Sequence, residues 1–294
     1  MGVGVSAESH WSALAHARRR TVPRVGFFVD GKRVGSVATA HLRVLSRWPD
    51  HLLVGEQAVH LRTPVAERDE ALAQMHAQLR EDGCIVAWRD EPFALLHPDT
   101  GQSLATIERA AARFWGTLTL GAHCNGWVAN AQGQPERMWI ARRSAHKATD
   151  PGLLDNLVGG GVPLGQSPRD TVVREGFEEA GLSPQQMARV TAHEVIELDR
   201  DVPEGRQFER LHVFDLALPP GQMPVNQDGE VAELRCLPIE EALSLACTPQ
   251  MTVDASLVTL AFALRRGLIR NPPRDVLAAA TQRLWTAGAV DPAS

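Results

Sequence analysis

Cysteine is scarce in this chain: four residues in 294, Cys84, Cys124, Cys236 and Cys247, with no CxxC pair. That spacing supports neither a thiolate zinc site nor a redox motif, and a chain of this size needs no disulfide staples. Free, buried or half-buried thiols in a reducing cytoplasm are expected. The eleven histidines form no HExxH or similar cluster, which argues against a histidine metal site. No apolar run approaches the roughly 20 residues of a membrane span, so no membrane partner is expected. Positive charge is not in excess either. The formal net charge of -5 argues against broad nucleic-acid binding, and the basic run HARRR reads as a solvated segment. The first twenty residues lack the basic-then-apolar order of a secretory signal and are expected to form a flexible tail (1–20).

What is present divides the chain. VGFFVDGKRVGSVA, from Val25 to Ala38, predicts two short strands around a turn at Asp30-Gly31. HLRVLSRWP has helical spacing and stops at Pro49. In ERDEALAQMHAQLREDG, Ala71, Leu72, Met75 and Leu79 fall on one stripe, with Gly83 beyond its end, so this is a core-facing helix. CIVAWRDEPFALLH reads as one or two strands. Residues 21–113 therefore make a small α+β unit. From Phe114 onward, TLTLGAHCNGWVAN and RMWIARRS are strand-like around the turn NAQGQPE, and ARVTAHEVIELDR and ERLHVFDLALP read as further strands. CLPIEEALSLA and DASLVTLAFALRRG read as helices. This second region spans 114–270, and a C-terminal extension with another helix spans 271–294.

Between these elements lies VGGGVPLGQSPRDTVVREGFEEAGL, from Val158 to Leu182. Ser167 as N-cap, Pro168 at the first helical position and Asp170 in a capping box mark a helix start, and Gly181 marks its end. On a helix from Pro168 to Ala180, Glu175, Glu178 and Glu179 are spaced i, i+3, i+4 and share one face. Arg174, four residues before Glu178, is one cation against three carboxylates. A hard divalent ion with a taste for oxygen ligands supplies the missing charge, and such ions commonly join protein carboxylates to substrate phosphates. Gly159, Gly160 and Gly161 allow a tight backbone path to the same place.

This segment resembles the signature of the Nudix hydrolases, G-x5-E-x7-R-E-U-x-E-E-x-G-U with U apolar. Gly160 supplies the first glycine, Arg174-Glu175 the RE pair, Glu178-Glu179 the EE pair and Gly181-Leu182 the close, over 23 positions. Two positions depart: Gln166 replaces the first glutamate, and Gly176 an apolar residue. The resemblance implies an α/β/α sandwich around a mixed sheet, preceded here by the small α+β unit. It also implies a loop–helix–loop holding Mg2+ (Mn2+ in some members) through Glu175, Glu178, Glu179 and the Gly159 carbonyl. Arg174 belongs to the catalytic box. The general base is Glu175, or Glu230 or Glu233 in the downstream acidic loop NQDGEVAEL.

KATDPGLLDNLVGGG, IERAA, WRDEPF and NQDGEVAEL further resemble the thiamine pyrophosphokinase-related Nudix proteins, over roughly residues 22 to 270. That likeness implies hydrolysis of thiamine diphosphate, or its damaged oxo and oxy forms, to the monophosphate and phosphate. Lys147, Asp155, Asn156, Gly160, Gly161, Glu230 and Glu233 are then candidate substrate contacts, and Trp115, Trp127 and Trp139 candidate stacking partners. The N-terminal unit is expected to shape the pocket. Alternatives are hydrolysis of another nucleoside diphosphate derivative, or a Nudix-fold binding module without turnover. Isopentenyl diphosphate isomerisation is set aside, since no cysteine stands between Asp150 and Val158. Oligomeric state is not legible.

Overall fold

The computed structural model describes residues 11–269, 281 and 284–286. It opens with a short helix, α1 (Ser12–His16). VGFFVDGKRVGSVA closes into the hairpin β1 (Arg24–Val29) and β2 (Lys32–Ala38), because Asp30 and Gly31 both take positive φ, 51° and 75°. Two such residues make the turn whose twist matches paired strands. HLRVLSRWP yields only a one-turn helix, α2 (Leu42–Leu45). β3 (Leu52–Val54) and β4 (Ala58–Leu61) complete a sheet of order β2-β1-β4-β3. Helix α3 (Val65–Glu81) buries Ala71, Leu72, Met75 and Leu79, the expected stripe. A second hairpin, β5 (Pro92–Leu96) and β6 (Ser103–Glu108), leads into α4 (Arg109–Trp115).

Phe114 and Trp115 do not begin the second region, as the sequence division at 113 and 114 places them. Both are buried in the N-terminal core, with Trp115 stacked on Phe27 at 4.4 Å between ring centroids. The chain leaves that core at Gly116, a left-handed cap (φ 55°) lying against Ser36, where a Cβ would come within 2.6 Å of a carbonyl oxygen.

The second half is built on a mixed sheet. Its long strands are β7 (Leu118–Ala129), β8 (Pro135–Arg143), β11 (Thr191–Val202), β12 (Gly205–Ala217) and β13 (Val231–Pro238). Two short strands join at the side, β9 (Leu154–Asp155) on β8 and β10 (Val158–Gly161) on β7. The order is β13-β8-β7-β12-β11-β14, where β14 is Trp285–Thr286. β7 and β12 run parallel and their other neighbours antiparallel. Helix α5 (Pro168–Ala180), followed by α6 (Pro184–Met187), covers one face over Ala122, Cys124, Val128, Phe214 and Leu216. Helices α7 (Ile239–Ala246) and α8 (Val253–Arg265) cover the other over Trp127, Met138, Ile140, Leu211 and Val213. Alternate residues of β7 thus enter opposite cores, as a pleat requires. This is the expected α/β/α sandwich.

Residues 11–20 are not a flexible tail. Trp11 is buried on α8 and donates its indole N–H to the Ser256 carbonyl at 3.1 Å. The Ala17 and Arg19 carbonyls accept from the Asp199 and Asp201 amides at 3.0 and 2.9 Å. The apolar residues Trp11, Ala13 and Ala17 find a core to enter, which short-range reading of a polar terminus does not reveal. Residues 1–10 and most of the 271–294 extension, including its expected helix, lie outside the described residues. Cys124 and Cys247 are buried, and Cys84 and Cys236 half-buried.

His76, on α3, accepts the Trp115 indole N–H on Nε2 at 2.8 Å inside the N-terminal core. Burial pushes its pKa down to about 3. Below the ordinary histidine value near 6.5, the unfolded chain takes up a proton that the folded chain refuses, so stability falls as pH drops from there toward 3. Between pH 7.5 and pH 5 this residue alone is expected to remove about 2 kcal/mol. Urea melts at the two pH values measure the loss. His76→Gln, which keeps an acceptor and does not titrate, should lose less by that amount, and an equal loss in both proteins rejects the assignment.

Candidate active site

Local sequence sets the phase of the acidic helix. The Ser167 side chain accepts from the Asp170 amide, and the Asp170 carboxylate accepts the Ser167 amide at 3.1 Å, a complete capping box with Pro168 at the first position. Gly181, at φ 63°, ends the helix. With both ends fixed, Glu175 and Glu179 turn inward and are buried, while Glu178 sits at the rim, half-buried. Gly176 is the departure that permits this packing: a Cβ there would meet the Met187 methyl carbon at 2.5 Å.

The glycine run lies directly beneath. β10 pairs with β7 in the register Gly159–His123, Gly160–Ala122 and Gly161–Gly121. A Cβ on Gly160 would fall 2.2 Å from Glu175 Oε1, so the carboxylate occupies the space of the missing side chain. A Cβ on Gly159 would meet the His123 ring at 2.8 Å, and one on Gly161 would meet Phe93 at 2.8 Å and the Arg109 guanidinium at 3.0 Å. The Gly159 amide donates to Glu179 Oε2 at 2.8 Å.

The three glutamates are not left uncompensated, as counting one arginine suggests. Arg174 donates to Glu175 at 2.8 Å and to Glu178 at 2.6 Å. Lys147 supplies the second cation, 3.4 Å from Glu179 and bonded to Glu230. Sequence distance concealed that pairing. Even so, burial pushes the Glu179 carboxyl up to about 8, with Lys147 pulling the other way, and raises Glu175 as well. Burial pushes the Glu230 carboxyl up, but the Lys147 hydrogen bond and the charges of Lys147, Arg89 and Arg109 together hold it below the usual carboxylate range.

Gln166 takes over the junction role of the missing box glutamate. Its side-chain oxygen accepts from Thr171 at 3.2 Å and from Arg174 Nε at 3.3 Å. The other candidates separate clearly. Asp155 is buried and bonded to Arg143 at 2.7 Å, and Arg143 also ties the carbonyls of Thr149 and Asp150. Asn156 faces inward, bonding Asn125, Thr259 and the His123 ring at 3.0 to 3.2 Å. The candidate substrate contact at Asn156 is thus a buried amide whose side chain supports the β7 strand. Glu233 lies on the sheet-edge strand opposite Arg142, 3.6 Å away and half-exposed. Trp115, Trp127 and Trp139 are all buried in the cores and present no ring for stacking.

A cavity of about 170 Å³ opens along the other side of the glycine run. Arg109, Arg113, Arg143 and Arg200 line it together with Asp150, Asp155, Asp201, Glu204, Glu209 and Asp254, and the three box glutamates do not. Sequence reading missed these arginines, since each sits in a separate segment with no local pattern.

Among the described residues no group of three or more His, Cys, Asp or Glu side chains stands in metal-holding geometry, because Arg174 and Lys147 occupy the carboxylates. The donor chemistry nonetheless fits a hard divalent ion: all ligands are oxygens, and two carboxylates are buried where positive charge stabilises them. Glu175, Glu178, Glu179 and the Gly159 carbonyl would hold it.

The NUDIX domain model matches residues 121–258, and the model of a domain of unknown function, DUF4743, matches residues 10–119. Nudix hydrolase 24, chloroplastic, of Arabidopsis thaliana is 32% identical over 257 residues, covering 84% of this chain and 68% of that protein. The chain belongs to the Nudix hydrolase family. Nudix hydrolase 20, chloroplastic, of the same plant is 35% identical over 210 residues, covering 69% of this chain and 54% of its own length. A crystal structure from Deinococcus radiodurans aligns at 21% identity and TM-score 0.44, over 58% of this chain and 99% of that one. Nudix hydrolases generally use divalent metal ions.

Gly160→Ala tests the close approach in this Nudix box. The added methyl meets a movable side chain rather than backbone, so the fold should survive while Glu175 is displaced. Turnover is expected to fall by at least about tenfold, on the scale of misplacing a catalytic group, with the melting temperature little changed. Full activity in that variant rejects the contact as functional.

Proposed function

We propose that this Nudix hydrolase is a Mg2+-dependent diphosphatase that cleaves the P–O–P bond of thiamine diphosphate or its oxidised oxo and oxy analogues. The reading rests on one observation: the Glu175 and Glu179 carboxylates are buried against Gly160 and Gly159 at the position of the Nudix box. Glu175, Glu178, Glu179 and the Gly159 carbonyl would hold a divalent ion, Mg2+ or Mn2+, which when bound would supply charge neutralisation of the diphosphate and activation of the attacking water. Water adds to one phosphorus, the bridging P–O bond breaks, and the monophosphate and inorganic phosphate leave. Lys147 is placed to offset phosphate charge, since it already stands between Glu179 and Glu230. The water's proton passes to Glu175 or Glu230, the two base candidates at this place. Glu233, engaged with Arg142 at the sheet edge, is dropped from that role. The thiamine assignment is carried by the likeness of the outer segments, KATDPGLLDN, WRDEPF and NQDGEVAEL, to one Nudix subgroup.

Glu178→Gln and Glu179→Gln are each expected to lower kcat by at least about a hundredfold with the circular dichroism spectrum retained. Chelation should abolish turnover, and added Mg2+ or Mn2+ should restore it. Near-normal turnover in both variants refutes the metal assignment. A panel of thiamine diphosphate, its oxidised forms, ADP-ribose and dinucleotide polyphosphates, ranked by kcat/KM, decides the substrate. Thiamine compounds at the bottom of that ranking end the thiamine reading.

A further inference from the structure

We propose that Arg89 and Arg109, both contributed by the N-terminal half, are diphosphate-binding residues of this active site. The inference rests on the diphosphatase reading and assigns part of its binding machinery to a region that lies outside the Nudix box.

The backbone aims them. Arg89 is flanked by Ala87 and Asp90, two non-glycine residues with positive φ, 60° and 57°. Left-handed backbone at such residues is strained and tends to persist where a structure holds it for use. Here the Trp88 indole donates to Asp90 at 2.6 Å. The Arg89 amide donates to Glu108 Oε1 at 2.7 Å, and the same carboxylate caps α4 through the Ala110 amide. One side chain therefore fixes both the backbone of Arg89 and the start of the helix that carries Arg109. The segment is tied in turn to the loop before the acidic helix, where the Leu164 amide donates to the Pro92 carbonyl at 2.8 Å.

Arg109 lines the cavity beside the glycine run, and Arg89 reaches it through Thr149 of the same lining. Arg89 reaches across to Thr149, donating to its hydroxyl at 3.3 Å, and its Nε is buried without a hydrogen-bond partner. Arg143 donates to the carbonyl of that same threonine at 2.8 Å. Arg109 lies over the Phe93 ring at 5.3 Å, bonds Glu91 at 2.8 Å and fills the space beside Gly161. Arg109 and Arg143 each have a carboxylate, Glu91 and Asp155. Among the described residues Arg89 has no ion pair. Burial, and after it the nearby Arg109, lower its hold on a proton. Glu230 and Glu91 act on it from beyond ion-pair distance and offset only part of that cost, so an anion in direct contact would stabilise it further. The planar guanidinium fork matches phosphate oxygens in pairs.

The test uses the full-length protein, with inorganic pyrophosphate and Mg2+ as the probe in calorimetry. Arg89→Ala and Arg109→Ala should each raise Kd about tenfold, the scale of a lost charge-assisted contact, and raise KM for the best diphosphate substrate more than they lower kcat. Arg89→Lys should recover part of the loss. A purely structural bolt between the halves makes a different prediction: Thr149→Val, which breaks the same cross-link, would then mimic Arg89→Ala. Unchanged Kd in both arginine variants, or an equal loss in Thr149→Val, overturns the proposal. If the wild type hydrolyses no diphosphate yet binds pyrophosphate through these arginines, the diphosphatase reading fails and the assignment of the anion site stands.

Discussion

The Glu175 carboxylate stands where a side chain on Gly160 would be, and most of the second half of the molecule is arranged to make that possible. A carboxylate removed from water loses several kcal/mol of solvation unless hydrogen bonds and opposite charge replace it. Here the replacement is distributed. Arg174 bonds Glu175, the Gly159 amide bonds Glu179, and Lys147 adds a cation from outside the box. The helix must also present its residues in the right rotational phase. A capping box at Ser167 and a left-handed cap at Gly181 fix both ends, so Glu175 and Glu179 cannot drift to the solvent face without breaking them. Gly176 removes the methyl that would hold the helix off Met187. Glycine is needed twice, on opposite sides of one helix, for one approach.

This arrangement changes how the acidic cluster is to be understood. In the free chain the carboxylates already have cations, Arg174 and Lys147, so a divalent ion does not enter an empty negative hole. It competes with two internal partners. Displaced from Glu179, Lys147 still has Glu230, on a loop whose own backbone is tied to Ser144. It therefore keeps a counter-charge, so releasing Glu179 to an ion does not strand a buried lysine. That shared pairing explains why the downstream acidic loop and the segment before the glycine run have to meet.

The sequence disclosed those parts of the design that are local. Helix α5, its caps and its acidic face follow from neighbours within four residues, and the hairpin at Asp30-Gly31 follows from two turn residues. The stripe Ala71, Leu72, Met75, Leu79 was equally legible, since periodicity alone specifies a buried face. What stayed hidden is non-local. Lys147 and Glu179 are partners because β8, β10 and α5 stack, and nothing in either segment announces it. Asn156 reads as a candidate substrate contact because it flanks the glycine run, and only the fold shows its side chain turned toward Thr259 and Asn125. Trp11 looked like part of a loose terminus because its binding surface, α8, is formed 240 residues later. Gln166 was legible as a departure, but its function as a neutral acceptor for Arg174 depended on seeing the side chain.

The N-terminal half is more than an appendage to this site. Besides the apolar seat of Trp11, Ala13 and Ala17, its cross-links to the Nudix half include specific polar bonds: Arg206 donates to the Gly116 carbonyl at 2.9 Å and to Ser36 at 3.1 Å, and Asp201 accepts the Thr21 and Val22 amides at 2.6 and 2.8 Å. Such bonds fix orientation, whereas an apolar contact of similar area tolerates sliding. Fixed orientation matters because Arg109 projects into the cavity beside Gly161, on the face of the glycine strand opposite Glu175. A Cβ on Gly160 would strike the Glu175 carboxylate and one on Gly161 the Arg109 guanidinium, so a side chain at either position would push a charged group away from the strand.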